Sequence, residues 1–281
     1  MTRKRLLVYL LFLVALGLIF YPFLGNYLFE NRADSLVRTV ERTMQQLDDA
    51  SCEAALLEAE KYNQVLFGGH IQLKDPFVET KTEEIEAYES LVRTTEEGVM
   101  GVIEIPSIEV SLPIYHGTTQ QVLERGVGHL MGTSLPVGGE STHTVLTGHS
   151  GLSRAKLFTD LEKLEGGDVF FLNVMGRRLA YRVNQIKVVL PTEMGDLCME
   201  RGKDYCTLVT CTPYGVNTHR LLVRGERTDY QEAAENPKVF QKKSGESKWM
   251  EEYKRALFAG MGCFGGLSGL LFLKRCFEEW R

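Results

Sequence analysis

Short β-forming runs with turns between them fill the middle of this chain. They span residues 99–105, 108–115, 142–147, 169–174, 179–189, 205–210 and 220–225. Glycine and proline mark the turns, and helical patterns interrupt the series only near residues 119–125 and 158–164. Many short strands with few helices predict a mainly β protein whose sheet closes, or nearly closes, into a barrel.

A cysteine follows one of these runs, and an arginine opens the next. Residues 207–211 read Thr-Leu-Val-Thr-Cys, turn-forming residues fill 213–217, and Arg220 lies nine positions after Cys211. We expect both side chains at neighbouring strand ends, where a guanidinium favours the thiolate and can stabilise an oxyanion. On these residues alone, a buried structural cysteine beside a surface arginine remains an equal alternative.

A histidine flanked by glycines ends the run at 142–147, since Gly148, His149, Ser150 and Gly151 follow it. A loop histidine is more often structural than catalytic, and other histidines compete with it. Those in the β-rich region are His116, His129, His143 and His219, while His70 lies before it. His219 adjoins Arg220, but strand alternation predicts that the two side chains point to opposite faces.

Three elements follow one another along the chain: Thr-Gly-His at 147–149, Thr-Leu-Val-Thr-Cys at 207–211, and Arg220. Together they closely resemble the signature of the sortases, the cysteine transpeptidases of Gram-positive cell surfaces. Residues 213–225 resemble the class C, pilus-polymerising branch, as do 101–106, 112–118 and 126–130. The resemblance is dense from 99 to 226 and implies an eight-stranded sortase barrel with short helices.

The resemblance also implies the chemistry. Cys211 is expected to be the nucleophile, His149 the acid and base, and Arg220 the residue that holds the substrate backbone and oxyanion. Thr210 and Thr147 are candidates for lining the substrate cleft, with strand packing as their alternative. The implied substrate carries an LPXTG-like sorting signal, and a lysine amine of another pilin subunit resolves the thioester. No cofactor and no metal are expected.

Asp75, Pro76 and Phe77 resemble the Asp-Pro-aromatic lid motif of class C sortases, with an ordinary turn as the alternative. Pro76 would stiffen the loop. Asp75 would pair with Arg220 while Phe77 covers Cys211. An exposed ion pair contributes only ~0–1 kcal/mol, so the sequence predicts a lid that opens readily.

Two uncharged runs predict membrane spans. Residues 6–24 follow three basic residues, and residues 256–273 have Lys or Arg on both sides. Both termini are then cytoplasmic and everything between the spans is outside the cell membrane. Gly262 and Gly266 have the spacing that lets two such helices pack. A cleaved signal peptide is the alternative for the first run.

The chain therefore divides into predicted segments: an N-terminal anchor (1–28), a helical extension (29–67), a lid loop and connector (68–98), the catalytic barrel (99–228), a tether (229–255), a C-terminal span (256–273) and a cytoplasmic tail (274–281). Within the extension, apolar spacing predicts two helices separated near residues 48–51.

Composition excludes several functions. The net charge is −5, and no basic run occurs outside the membrane flanks, which argues against a nucleic-acid partner.

Four cysteines, Cys52, Cys198, Cys206 and Cys211, lie outside the predicted C-terminal span and tail. Two disulfides are one alternative, although the sortase interpretation requires a free Cys211. A zinc site is a further alternative, but the paired cysteine spacing of such a site is absent from the set Cys198, Cys206, Cys211 and His219.

Two other functions remain open at this point. A housekeeping sortase would transfer the thioester to a peptidoglycan precursor, and a non-catalytic, membrane-tethered barrel scaffold would use Cys211 only for packing.

Overall fold

A computed structural model describes residues 3–68, 73, 75–77, 85–151, 155–243 and 245–262 of the chain. The chain forms two compact units, Met1–Lys243 and Ser244–Arg281. The first unit contains the β-rich region with the helices before it. In the second unit, residues 248–262 are helical.

Eight strands form the closed barrel. They are β1 (Val99–Ile105), β2 (Val110–His116), β3 (Val127–His129), β4 (Thr142–Thr147), β5 (Val169–Val174), β6 (Arg177–Val189), β7 (Asp204–Thr212) and β8 (His219–Thr228). Their order around the barrel is β1-β2-β3-β4-β7-β8-β6-β5. The β2–β3 and β4–β7 pairs are parallel, and the others are antiparallel. The predicted eight-stranded barrel is confirmed.

The helices lie mainly before the barrel. They are α1 (Arg3–Gln46), α2 (Asp49–Gly68), α3 (Ile85–Ser90), α4 (Gln120–Leu123) and α5 (Tyr230–Glu235). Within the described residues, four 3-10 turns span Pro106–Ile108, Thr159–Lys163, Gly195–Leu197 and Pro237–Phe240. Asp48 accepts a hydrogen bond from the backbone N–H of Ser51 at 2.8 Å, which caps α2 at the predicted break.

Strand alternation sorts the β7 side chains between two apolar clusters. Cys206 and Leu208 belong to the main core inside the barrel. Val209 belongs to a second cluster, and its register partner on β8 is Leu222 of the same cluster. Cys211 shares the outward face of Val209, because residues two apart on a strand point the same way. The predicted core position of Cys206 is therefore correct, and Cys211 lies outside the barrel core.

The structure adds three details to the sequence prediction. Helix α1 is continuous across residue 28, where the predicted anchor passes into the predicted helical extension. Strand β3 was absent from the predicted runs, being only three residues long. Within the predicted tether, Ala233 and Val239 pack on β5 and β6 side chains, and the backbone N–H of Lys243 donates to the carbonyl of Ser107 at 2.8 Å, so residues up to 243 belong to the first unit.

One helix among the described residues is long and apolar enough to cross a membrane, by length and composition alone, and it spans Tyr9–Gln46. The greater part of the predicted second span, residues 263–273, lies outside the described residues.

Candidate active site

Cys211 and Arg220 face each other across the β7–β8 pair. They are direct register partners near the end of the antiparallel ladder, and Thr212 and His219 form the next pair. Cys211 is 8% exposed and Arg220 is 7% exposed. Directly opposed side chains in such a pair lie within contact distance. The thiol and the guanidinium therefore share one surface, as the sequence predicts.

His149 reaches the same end of the sheet from β4. The backbone N–H of Gly148 donates to the carbonyl of Val209 at 3.1 Å, which extends the parallel β4–β7 pairing toward Cys211. The Thr210 hydroxyl donates to the carbonyl of Gly148 at 2.8 Å. A Cβ at position 148 would lie 2.7 Å from the Phe158 ring, so only glycine fits there. These contacts fix His149 beside the end of β7.

The loop containing Asp75 and Phe77 covers this surface. Arg220 donates from Nε to Asp75 Oδ1 at 2.9 Å and from Nη2 to Oδ2 at 2.6 Å. Asp75 also accepts from the backbone N–H of Phe77 at 3.3 Å, and Pro76 between them is buried. The predicted pair is thus present and bidentate. Both of its side chains are only 9% exposed, however, so the energy of an exposed ion pair does not apply to it.

The Phe77 ring lies against the residues on both sides of Cys211. Its centroid is 5.5 Å from that of the His149 ring and 5.0 Å from the guanidinium carbon of Arg220. Phe77 and Leu73 also pack on the second apolar cluster, which we call the outer cluster. Its members are Leu130, Val145, Val189, Met194, Leu197, Val209 and Leu222. The loop therefore fills the apolar surface next to the thiol.

Burial keeps both reactive groups uncharged. It raises the pKa of the Cys211 thiol, and the negative charge of Asp75 adds to this, whereas the Arg220 charge opposes it. Burial also lowers the pKa of His149, which the more distant Glu124 carboxylate opposes. At neutral pH the thiol is protonated and the imidazole neutral. His149 Nε2 is buried and has no hydrogen-bond partner within the described part of the chain.

Arg220 has two further backbone partners, which complete the fixation of its guanidinium. Nη1 donates to the carbonyls of Asn217 and His219, each at 3.0 Å. Asn217 adopts a left-handed conformation with φ of 62° in the turn before β8. The sequence prediction identified neither the Asn217 carbonyl as a partner of Arg220 nor the packing of Leu73. An asparagine in a glycine-containing turn is a signal for the turn at Asn217, because asparagine tolerates the left-handed conformation.

The competing histidines have structural partners. His116, His129 and His143 each bond through both ring nitrogens to groups of the barrel or of the segment before it. The His219 ring nitrogen Nδ1 lies 2.9 Å from the hydroxyl of its neighbour Thr218. His70 lies outside the described residues. Within the described ranges, no group of three or more His, Cys, Asp or Glu side chains is arranged to hold a metal.

The two threonines proposed for the cleft are buried. Thr210 is 2% exposed and its hydroxyl is bonded to Gly148, while Thr147 is fully buried. Their place in the substrate cleft stays a prediction. The thiols of Cys52, Cys198, Cys206 and Cys211 are all free.

Comparison with known proteins identifies the same family. The sortase domain model matches residues 103–228. Sortase C-1 of Actinomyces oris is 51% identical, with a TM-score of 0.60 over 63% of this chain and 99% of that one. Sortase C of Streptococcus pneumoniae is 42% identical, with a TM-score of 0.65 over 70% of this chain and 97% of that one.

A curated relative, sortase D of Bacillus subtilis, is 32% identical over 45% of this chain and 63% of its own length, so the match spans less than two thirds of that relative. The two solved structures, in contrast, are matched over nearly their whole length. Together with the barrel, they show that the chain belongs to the sortase family of cysteine transpeptidases and that its similarity extends to the class C members.

Proposed function

We propose that this protein is a pilus-assembling transpeptidase, which cleaves an LPXTG-like sorting signal through a Cys211 thioester and joins it to a lysine of another pilin subunit. The observation that carries the proposal is the register pair of Cys211 and Arg220 beside His149, under a separate covering loop. A packing cysteine needs neither a paired guanidinium nor a histidine with an unbonded buried nitrogen.

The acylation half uses all three residues. The Cys211 sulfur attacks the carbonyl carbon of the signal's threonine, and its proton passes to His149. Arg220 stabilises the oxyanion through its two-pronged donor geometry. When the C–N bond breaks, the leaving amine takes the proton from His149, and a thioester remains on Cys211.

The transfer half reverses these roles. The lysine amine attacks the thioester carbonyl, and His149 takes a proton from that nitrogen. The C–S bond then breaks, the sulfur recovers its proton, and an isopeptide bond joins the two subunits. The thiol thus recovers its proton, and the atoms and protons of the two half-reactions balance.

The covering loop regulates this cycle by competition. Asp75 occupies the Arg220 donors that the oxyanion requires, and Phe77 and Leu73 occupy the outer cluster. An apolar surface of this kind suits the leucine and proline of a sorting signal. The loop formed around Asp75, Pro76 and Phe77 therefore has to leave before a donor substrate binds.

Two relatives support the pilin assignment. Pilin substrate specificity has been described for the Streptococcus pneumoniae sortase C, and a similar sortase C of Group B Streptococcus is pilus-related. Sortases are membrane-anchored enzymes with an extracellular catalytic domain. For this chain we propose that α1 anchors the barrel outside the cell membrane and that the run at 256–273 returns the C-terminus to the cytoplasm.

The full chain in detergent, incubated with a pilin subunit that carries a sorting signal, tests the proposal. We expect a ladder of covalent oligomers that survives boiling in denaturant, with an isopeptide bond detected by mass spectrometry. Cys211→Ala should abolish the ladder. Cys198→Ala is the matched control, because Cys198 is an exposed free thiol away from the register pair. A ladder that persists in Cys211→Ala would refute the proposal.

A further inference from the structure

Lys156 connects three separate parts of the first compact unit. Its backbone N–H donates to Asn26 Oδ1 on helix α1 at 3.1 Å. Its Nζ donates to the carbonyl of Ile108, in the turn between β1 and β2, at 2.7 Å. The same Nζ lies 3.2 Å from a carboxylate oxygen of Asp160, whose side chain is 4% exposed. With two partners at Nζ, the side chain has little rotational freedom left.

The segment that begins at Lys156 supports the backbone of His149. The N–H of Phe158 donates to the carbonyl of His149 at 3.1 Å, and the N–H of Thr159 donates to the carbonyl of Lys156 at 2.9 Å. The N–H of Gly151 donates to the Thr159 hydroxyl at 3.3 Å. Residues 156–159 therefore form one wall of the loop that presents the imidazole.

This wall contains a strained residue. Leu157 has φ of 41°, a left-handed conformation that is unfavourable for a leucine. Such a conformation costs about 1–3 kcal/mol and persists only where neighbouring contacts hold it. Lys156 and Phe158, on either side of Leu157, supply those contacts.

Asn26 is itself held in place on the anchor helix. Its Nδ2 donates to Glu30 Oε1 one turn later at 2.9 Å, which leaves Oδ1 directed at Lys156. Asn26 lies two residues after the uncharged run at 6–24, within the same continuous helix. The hydrogen bond to Lys156 thus joins the segment proposed to leave the membrane to the wall behind His149.

We propose that Lys156 is a positioning residue for His149, and that Asn26 extends this support to the anchor helix. The inference rests on the proposed catalytic role of His149. Proton transfer requires the imidazole within hydrogen-bond reach of both the thiol and the amine. A misplacement of about 1 Å is enough to slow a reaction on the order of a hundredfold. Helix α1 is then a part of the catalytic structure as well as an anchor.

The test measures kcat and KM of the full chain in phospholipid nanodiscs, with a fluorogenic sorting-signal peptide. Lys156→Met keeps the length of the side chain, removes its Nζ donor and leaves the backbone N–H that bonds Asn26. Asn26→Leu removes the acceptor on α1. We expect kcat to fall on the order of tenfold in each, with KM within about twofold, because neither residue belongs to the outer cluster that is proposed to bind the sorting signal.

Three comparisons separate positioning from general destabilisation. Lys156→Arg and Asn26→Asp retain a donor and an acceptor and should recover most of kcat. Lys163→Met is the matched control, since Lys163 pairs with the same Asp160 carboxylate at 3.4 Å and should keep the parental kcat. The circular dichroism signal of each variant at the assay temperature gives the fraction of folded enzyme, to which each kcat is normalised.

The outcomes are distinguishable. Parental kcat in both Lys156→Met and Asn26→Leu, with an inactive His149→Ala, would overturn the positioning role and leave the proposed function standing. A loss of kcat that matches the loss of folded enzyme would also overturn it. Full activity of His149→Ala would instead refute the proposed function.

Discussion

The double substitution of Asp75→Ala with Phe77→Ala should uncover Cys211. Asp75 contributes two charge-assisted hydrogen bonds to Arg220, at 2.9 and 2.6 Å. Such bonds to charged groups contribute ~1.5–3 kcal/mol, of which rehydration of both ions in the open state returns a part. The Phe77 ring over the guanidinium contributes ~0.5–2 kcal/mol. A combined loss of ~3 kcal/mol shifts the closed-to-open ratio by about a hundredfold.

Electrostatics act in the same direction. Burial and the Asp75 carboxylate both raise the pKa of Cys211 in the covered state. Removing the Phe77 ring and the Asp75 carboxylate lowers the pKa of Cys211, so a larger fraction of the thiol is ionised at neutral pH. The thiolate is the reactive form. Phe77→Ala alone, which keeps the Asp75 carboxylate, separates uncovering from the loss of this charge.

The assay is the pseudo-first-order rate at which iodoacetamide modifies Cys211 in the full chain, followed by mass spectrometry. We expect the rate to rise by about ten- to a hundredfold in the double variant, and hydrolysis of a sorting-signal peptide to rise with it. Asp196→Ala with Phe240→Ala is the matched control, because Asp196 pairs with Lys187 and Phe240 is half-exposed on the barrel surface. Equal labelling rates in the wild type and the Asp75, Phe77 variant would refute the lid while leaving the transpeptidase proposal intact.

Further predictions concern the same site and the topology. Cys211→Ala should abolish thioester formation, seen as loss of the acyl-enzyme mass, without changing the circular dichroism spectrum. Arg220→Lys keeps the charge but not the bidentate geometry, so peptide turnover should fall roughly a hundredfold or more; parental turnover would remove Arg220 from the mechanism. Because the pKa of Cys211 is raised from 9.0, alkylation of the wild type should keep rising about tenfold per pH unit beyond pH 8, and a plateau below that would contradict the closed state. A reporter after Arg281 should be cytoplasmic and one inserted at Lys243 external; protease access to the tail of intact cells would show that a span is misassigned.

Local patterns in the sequence were sufficient for the barrel strands. β1, β4 and β5 have the predicted bounds, and the remaining predicted strands differ by one to three residues at their ends. β-branched and aromatic residues bounded by glycine and proline are a local signal that needs no knowledge of which strands pair. The three-residue β3 is too short to show a period, and only its pairing with β2 and β4 makes it a strand.

The sequence by itself also determined the residue types of the site, since a cysteine, a histidine and an arginine at strand ends can be read without coordinates. It could not determine whether the Asp75–Arg220 pair is exposed, because burial depends on what packs around both side chains. In the structure the outer cluster and Phe77 enclose that pair, so the free energy of an exposed ion pair does not apply to it. Burial also raises the pKa of Cys211 and lowers the pKa of His149, which keeps both neutral. Nor could it show that Asn26 and Lys156, 130 residues apart in the chain, are hydrogen-bonded. Side-chain burial and long-range contacts are properties of the packed chain, and here they, more than the motif, decide how the site is held and covered.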